Sequence, residues 1–542
     1  MKRNKSFYSA KYLLLAYLLL TVVLPILRLF SSIRGEHVAE VLSSAQFLPM
    51  LQNSLLTTLM ATAISVGLSF ALAYALCRSR VRFKSVLVVL FTVPMLIPSI
   101  SHGMGLVLLF GDNGLVTNLL GINIGLYGYT GIVMGSVLYS FPVSFLMFYD
   151  SFQYEDFTIY EAARVLGLSR MRQFMTITLP GMSRTILSAV LAVFTMVFTD
   201  YGVPLMTGGT AMTLPVYMYR EVIGMMNFSG GAVVGVVLLL PAIAAFLMDL
   251  RKSNEGGTAS TITKPYFIEE NKRRDIMVYI GFAVVLFLLC LPIVAFVCLS
   301  FVKQYPTDMS FSLDNVKKLL SNGIGMYFVN SMAIALLTAL VGTCLSYFSA
   351  FVTARSHKAV ANKVMHFVSM LSLAIPGVVL GLSFVLTFKG LPIYRTLFIL
   401  VLVNIVHFFS SPYLMAYNSL TKFNPNLEDV AQSLGISKLR MLKDVYIPCT
   451  RSTIVEMYSY YFVNAMITIS AVSFLMNFRT MPLSLMIPQL ESQSFIEGTA
   501  MVSLLILFIN LAEKGIAFVV KRSVEKGEKT MIEQVNAMTA AE

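Results

Sequence analysis

The chain has 542 residues, 57% apolar and only 12% charged, and no soluble domain of this size could hide so much apolar surface. Forty Lys and Arg against 27 Asp and Glu give a net charge of +13, but the basic residues are spread over short loops and form no single patch, which excludes nucleic-acid binding. The five cysteines, Cys77, Cys290, Cys298, Cys344 and Cys449, have no paired spacing, so neither a disulfide framework nor a zinc site is expected.

About twelve apolar runs approach the ~20 residues that cross a bilayer. Their approximate spans are 12–31, 52–77, 85–110, 128–149, 185–207, 229–249, 277–301, 327–353, 364–388, 395–418, 453–476 and 498–520. Lipid offers no partner to an unpaired backbone group, so these runs should be helices. Lys2, Arg3, Lys5 and Lys11 precede the first run and place the N-terminus in the cytoplasm. No small-x-small cleavage pattern follows in Ser31 to Arg34, so the first run reads as an uncleaved anchor. Alternation then puts Arg78, Arg80, Arg82, Lys84 and the loops Arg251 to Arg274, Arg355 to Lys363 and Lys521 to Lys529 inside. About 30 of the 40 Lys and Arg fall on that side, as the positive-inside rule requires. Both termini are expected there.

The chain is written twice. Asn53-Ser54, Leu68-Ser69-Phe70, Arg78-Ser79 and Ile97-Pro98 recur as Asn330-Ser331, Leu345-Ser346-Tyr347, Arg355-Ser356 and Ile375-Pro376. Each copy carries six runs, an even number, so the halves share one orientation and a pseudo-twofold along the membrane normal. The first repeat is expected over 1–250 and the second over 276–525. Between them 251–275, with its Gly/Ser/Thr-rich stretch Asn254 to Ser260, reads as a flexible cytoplasmic linker. Residues 526–542 read as a cytoplasmic tail.

One polar segment is repeated without a gap. Glu161-Ala162-Ala163-Arg164-Val165-Leu166-Gly167-Leu168-Ser169 and Ile177-Thr178-Leu179-Pro180 recur as Asp429-Val430-Ala431-Gln432-Ser433-Leu434-Gly435-Ile436-Ser437 and Val445-Tyr446-Ile447-Pro448. Gly167 and Gly435 can close a helix in the left-handed conformation, and Ser169 and Ser437 can cap the next. Met171, Phe174 and Ile177, and in the second copy Leu439, Leu442 and Val445, form an apolar stripe. Pro180 and Pro448 suit the first turn of the following span. A carboxylate beside small residues permits close approach and a charge-assisted bond from a partner's Arg or Lys. Two copies in register read as a docking device.

This pattern, Glu-Ala-Ala, three residues, Gly, then Ile-x-Leu-Pro, resembles the signature of permease subunits of bacterial binding-protein-dependent ABC importers. The resemblance covers nearly the whole chain, as two fused permease domains of the kind found in iron(III), thiamine and phosphonate importers. It implies an all-α membrane protein with the type I importer permease fold in the bacterial cytoplasmic membrane. It implies that Glu161, Ala162, Ala163, Gly167, Asp429, Ala431 and Gly435 couple to two ATPase subunits, which bind the ATP and Mg. It also implies an extracytoplasmic substrate-binding protein. The second copy departs from the pattern by Asp429 and Val430. Phe198 to Pro204, Tyr219 to Gly224 and Tyr461 to Val472 are similar in wording to permeases for 2-aminoethylphosphonate.

No Gly-x-x-x-x-Gly-Lys-Ser/Thr loop occurs in the sequence, so ATP hydrolysis is expected from another chain. His37, His102, His357, His366 and His407 show no metal-ligand spacing. Polar residues within the runs mark a candidate substrate path: Asp200 with Tyr201, and Thr468, their counterpart by register, with Asn464 and Ser470. Asp200 stands about 15 residues into its run, ~22 Å at 1.5 Å per residue, where a charge faces a cavity or a partner and not lipid. An ion-coupled secondary transporter is the rival class, and a membrane-embedded enzyme a third. The repeated docking segment and the same-orientation repeat favour the importer.

Overall fold

The computed structural model describes residues 5–253, 264, 266–355, 360–424 and 426–540, the side chains of 5–6, 249–253, 526 and 528–540 excepted. Lys2, Arg3, the stretch 254–260, Ser356 and His357 lie outside the described residues. The chain is helical almost throughout. A short antiparallel hairpin, Val302–Gln304 against Asp308–Phe311, is the exception among the described residues.

Nine described helices are long and apolar enough to span a membrane, or eleven if two bent pairs each count once. The remaining one of the twelve expected runs, 453–476, is the shorter helix Arg451–Ile467 of 17 residues. The run at 85–110 is two helices, Lys84–Leu96 and Ser99–Phe110, and 364–388 is likewise broken, with a 115° bend between Val360–Ala374 and Gly377–Phe388. Ile97-Pro98 and Ile375-Pro376 lie at these breaks. Proline lacks the N–H that would continue the ladder and its ring clashes with the carbonyl four residues back. The carbonyls freed in the first break find new donors: His102 Nε2 lies 3.1 Å from the Pro94 oxygen, and Asn510 Nδ2 donates to Leu96 at 2.8 Å. The run placed at 185–207 starts earlier, in a continuous helical stretch Arg170–Phe198, and stops before Asp200. Its counterpart Arg451–Ile467 stops before Thr468.

Each half has the same centre. Phe47–Cys77 packs against Tyr129–Gln153 and Arg170–Phe198, and Ile324–Arg355 against Ser410–Leu420 and Arg451–Ile467. Small residues allow the first pair to approach closely: Ser69 meets Ser144 at 2.7 Å and Ser140 meets Ser65 at 3.1 Å, all buried. The repeated Asn-Ser doublet performs one task twice. Ser54 accepts from the Leu214 N–H at 2.8 Å and Asn53 donates to the Met212 carbonyl. Ser331 accepts from Leu483 at 2.7 Å and Asn330 donates to Met481. In both halves the doublet pins the irregular chain that precedes a short helix.

The halves exchange their opening spans. The helix Phe7–Ser31 lies on the second half, with Phe7 edge-on to Phe348 and Phe351 at 6.2 and 6.0 Å and its later turns against Gly377–Phe388. Lys272–Ser300, the first span of the second half, lies against Ser99–Phe110 of the first, and Phe282 meets Phe91 at 5.6 Å.

Candidate functional sites

The duplicated segment folds as its spacing predicts. Thr158–Val165 and Leu427–Ser433 are short helices, and Gly167 and Gly435 close them at φ +72° and +68°. Leu168 N–H donates to the Ala163 carbonyl at 3.0 Å and Ile436 N–H to Ala431 at 2.8 Å, the six-to-one bond of a Schellman end in both copies. Ser169 and Ser437 then accept from Arg172 and Arg440 N–H, each at 3.3 Å. A π-helical turn follows in both, Phe174–Thr178 and Leu442–Tyr446, ahead of Pro180 and Pro448. It shifts the buried face from the predicted stripe: Gln173 and Thr178, and Met441 and Tyr446, turn inward, while Met171 is exposed.

Ala163 and Ala431 are buried against the body of the protein, whereas Ala162 and Asp429 are exposed. Beside them Leu166 is 78% and Leu434 69% exposed, two apolar side chains at matched positions presented outward. Glu161 is ion-paired to Lys264, a residue of the linker.

An anchor that the repeat pattern hinted at but did not reveal fixes each segment. Arg78 caps the C-terminus of Phe47–Cys77, and Arg355 ends Ile324–Arg355. Arg78 is ion-paired to Glu155 and donates to the Tyr160 hydroxyl at 3.3 Å, and Tyr160 in turn bonds Glu155 and Thr178. Arg355 holds Glu428 with two parallel bonds of 2.6 and 2.5 Å, donates to the Tyr446 hydroxyl at 3.1 Å, and closes on the Phe423 and Asn424 carbonyls. Both guanidinium groups are buried, at 7% and 5% exposed. Burial and the neighbouring carboxylate raise both phenols well above their ordinary range, so Tyr160 and Tyr446 remain donors. Arg78-Ser79 and Arg355-Ser356 were visible in the sequence as markers of register. Of their side-chain partners only Tyr160 and Glu428 share a register position, and these differ in chemical type, so no repeated motif revealed the anchor.

The candidate path residues gather where the halves meet. Asp200 accepts from Val203 N–H at 2.9 Å and Gly202 N–H at 3.3 Å, and its side chain also bonds Ser99. The carboxylate therefore caps the short helix Gly202–Thr207, a role not foreseen, while its residue stays half-buried. Tyr201 is buried, stacks on Tyr219 at 5.0 Å and donates to the Ile469 carbonyl across the halves at 3.4 Å. This contact brings Asp200-Tyr201 beside Ile469-Ser470. Thr468 is buried and its carbonyl accepts from Ser484 at 2.8 Å, and Asn464 donates to the Tyr460 carbonyl one turn back at 2.8 Å. Ser470 abuts Gly377, where an added Cβ would lie 2.1 Å from its Oγ. Tyr139 and Tyr460, not singled out from the sequence, complete the group: both are half-buried, and Tyr139 is within electrostatic reach of Asp200 and Tyr460.

Residues 63–250 and 342–526 each match the model of the family described as binding-protein-dependent transport system inner membrane component. The chain is 24% identical over 462 residues to a ferric transport system permease protein FbpB of Actinobacillus pleuropneumoniae, covering 81% of this chain and 66% of the relative, just under two thirds of its length. It is 24% identical over 501 residues to a putative ferric transport system permease protein of Haemophilus influenzae, covering 88% of this chain and 79% of the relative. Among solved structures, one chain of a bacterial alginate ABC transporter in complex with its periplasmic protein is similar at a TM-score of 0.41 and 17% identity, over 47% of this chain and 98% of that one.

Proposed function

The chain belongs to the family of binding-protein-dependent transport system inner membrane components, and from that premise we propose that it is the fused, multi-pass permease of an ATP-driven importer. Its two duplicated segments face the cytoplasm and dock two copies of a separate ATPase subunit, which binds ATP and Mg. An extracytoplasmic binding protein delivers the solute. The carrying observation is the pairing of an identical helix end with a buried Arg–carboxylate–phenol anchor in both halves. Each anchor fastens a docking helix to the end of that half's long central span. A push on the docking helix is therefore delivered to Phe47–Cys77 and Ile324–Arg355, and not dissipated in a loop. The solute crosses between the halves, past Asp200, Tyr201, Asn464, Thr468 and Ser470.

We propose 2-aminoethylphosphonate as the solute. The resemblance in wording around Asp200 and Asn464 supports it, together with a half-buried carboxylate suited to the ammonium end and hydroxyl and amide groups suited to the phosphonate. Ferric ion is the second reading, favoured by the names of the two relatives. Uptake of labelled 2-aminoethylphosphonate and of ferric ion in cells with and without this gene decides between them. Loss of phosphonate uptake alone supports the first reading. Loss of iron uptake alone replaces it with the second.

A further inference from the structure

The linker between the repeats is not free chain throughout. From Lys264 it lies as a strap along the first docking helix. Lys264 N–H donates to Asp156 at 3.2 Å, and its carbonyl accepts from the Phe157 N–H at 3.0 Å. The Tyr266 ring sits edge-on to Phe157 and Tyr160, at 4.9 and 5.2 Å, and the Arg78 guanidinium lies 3.2 Å from its centre. Glu269 divides its two oxygens between Arg164 at 2.8 Å, on the docking helix, and Arg170 at 2.7 Å, at the start of the next. Arg80 donates to the Ile268 carbonyl at 3.0 Å and is ion-paired to Glu270. The strap then runs into a helix without slack: Asn271 caps Lys272–Ser300 by accepting from Arg274 N–H, and Arg274 reaches back to the Glu269 carbonyl at 2.8 Å.

We infer that Tyr266 and Glu269 are positioning residues for energy coupling, and that the strap joins the first docking helix to the opening span of the second half. The inference rests on the docking role proposed above. The geometry supports it in three ways. Tyr266 covers the buried Arg78 anchor with a cation–π contact, so the first anchor is completed by a residue from outside its own repeat. Glu269 bonds both helices of the docking segment and therefore holds their mutual angle. Asn271 makes the strap the direct continuation of Lys272–Ser300, which packs on Ser99–Phe110 beside the break at Pro98. Movement of the first docking helix thus reaches the broken helix of its own half by two routes, through Arg78 and through the strap. The second docking segment is held by Glu428 and the Phe423 and Asn424 carbonyls of its own repeat.

The test uses the full permease assembled with its ATPase and binding protein in proteoliposomes, reading solute uptake per ATP hydrolysed. Tyr266→Ala with Glu269→Ala should keep hydrolysis within about twofold of wild type while uptake per ATP falls at least fivefold. Tyr266→Phe alone should restore wild-type coupling to within twofold, because the contact uses the ring. Wild-type coupling in the double variant overturns the inference, and so does a Tyr266→Phe chain as poorly coupled as Tyr266→Ala. If the double variant does not assemble, two insertions of six Gly/Ser residues decide. Placed between Gly256 and Gly257, upstream of the strap, the insertion should leave coupling intact. Placed between Glu270 and Asn271, it should uncouple. Equal behaviour of the two overturns the inference. A wild-type chain that neither binds nor stimulates the ATPase would instead overturn the docking role itself.

Discussion

Tyr160 and Glu428 stand at the same register position of the two repeats, and each accepts a hydrogen bond from the arginine that ends its half's long span, Arg78 at 3.3 Å and Arg355 at 2.6 Å. One is a phenol and the other a carboxylate. The missing group is supplied elsewhere: the first carboxylate is Glu155, and the second phenol is Tyr446, which occupies the register position of Thr178. The two halves have kept the chemistry of the anchor and exchanged the positions that carry it. Preservation of an Arg–carboxylate–phenol set through such a change argues that the set itself is required.

Breaking the second anchor should therefore be costly. Removing one member of a buried ion pair leaves a desolvated charge, and for Glu428→Ala, whose carboxylate is partly exposed, about 2–3 kcal/mol of destabilisation is expected. Arg355→Lys should lose nearly as much, because an ammonium cannot reproduce the two parallel bonds and the two carbonyl contacts. Thermal unfolding of the purified chain in detergent measures both. A lysine variant as stable as the parent would contradict the anchor.

Gly167→Ala and Gly435→Ala should each weaken the docking segment by about 1–2 kcal/mol, the ordinary cost of a left-handed residue with a side chain. An added Cβ would touch nothing within 4 Å at either position, so the effect is purely one of backbone conformation. Asparagine, which tolerates this region better, should cost less than alanine at both sites. Thermal unfolding again reads the order, and an alanine variant as stable as wild type would refute it.

Gly377→Ala is expected to fail for the opposite reason. Its Cβ would lie 2.1 Å from Ser470 Oγ and 3.0 Å from the His407 ring. The Gly377→Ala chain should express poorly, and Ser470→Gly in the same chain should recover at least part of the yield. Size-exclusion profiles of the single and double variants check this. No recovery in the double variant would mean that the close contact with Ser470 is not what limits the single one.

Asp200 separates two roles. Asparagine also caps a helix, so Asp200→Asn should preserve folding and ATP hydrolysis. If the charge guides the ammonium end of the solute, uptake should fall at least fivefold. Unchanged uptake would leave the carboxylate as a helix cap alone.

The fold was legible where one rule acted alone. The Gly167 and Gly435 helix ends, the Ser169 and Ser437 caps and the two-copy arrangement followed from residue type and register. The extent of the spans was not, because hydropathy reports apolar length and is blind to a break. Pro98, Pro376 and Asp200 interrupt runs that read as continuous. The anchors escaped because Glu155 and Tyr446 have no counterparts at their own register positions. The strap escaped because Lys264 to Asn271 follows a Gly/Ser-rich stretch, and its partners Arg78, Arg164 and Arg170 lie ~100 residues or more away, beyond what local propensity can report.

The central claim is that the duplicated segments are where an ATPase subunit grips the membrane domain. Photo-crosslinking side chains placed at the matched positions Leu166 and Leu434, in the assembled and transport-active complex, test it directly. The account predicts crosslinks from both positions to the ATPase subunit. A complex that hydrolyses ATP and transports, yet yields no crosslink to that subunit from either position, would contradict it.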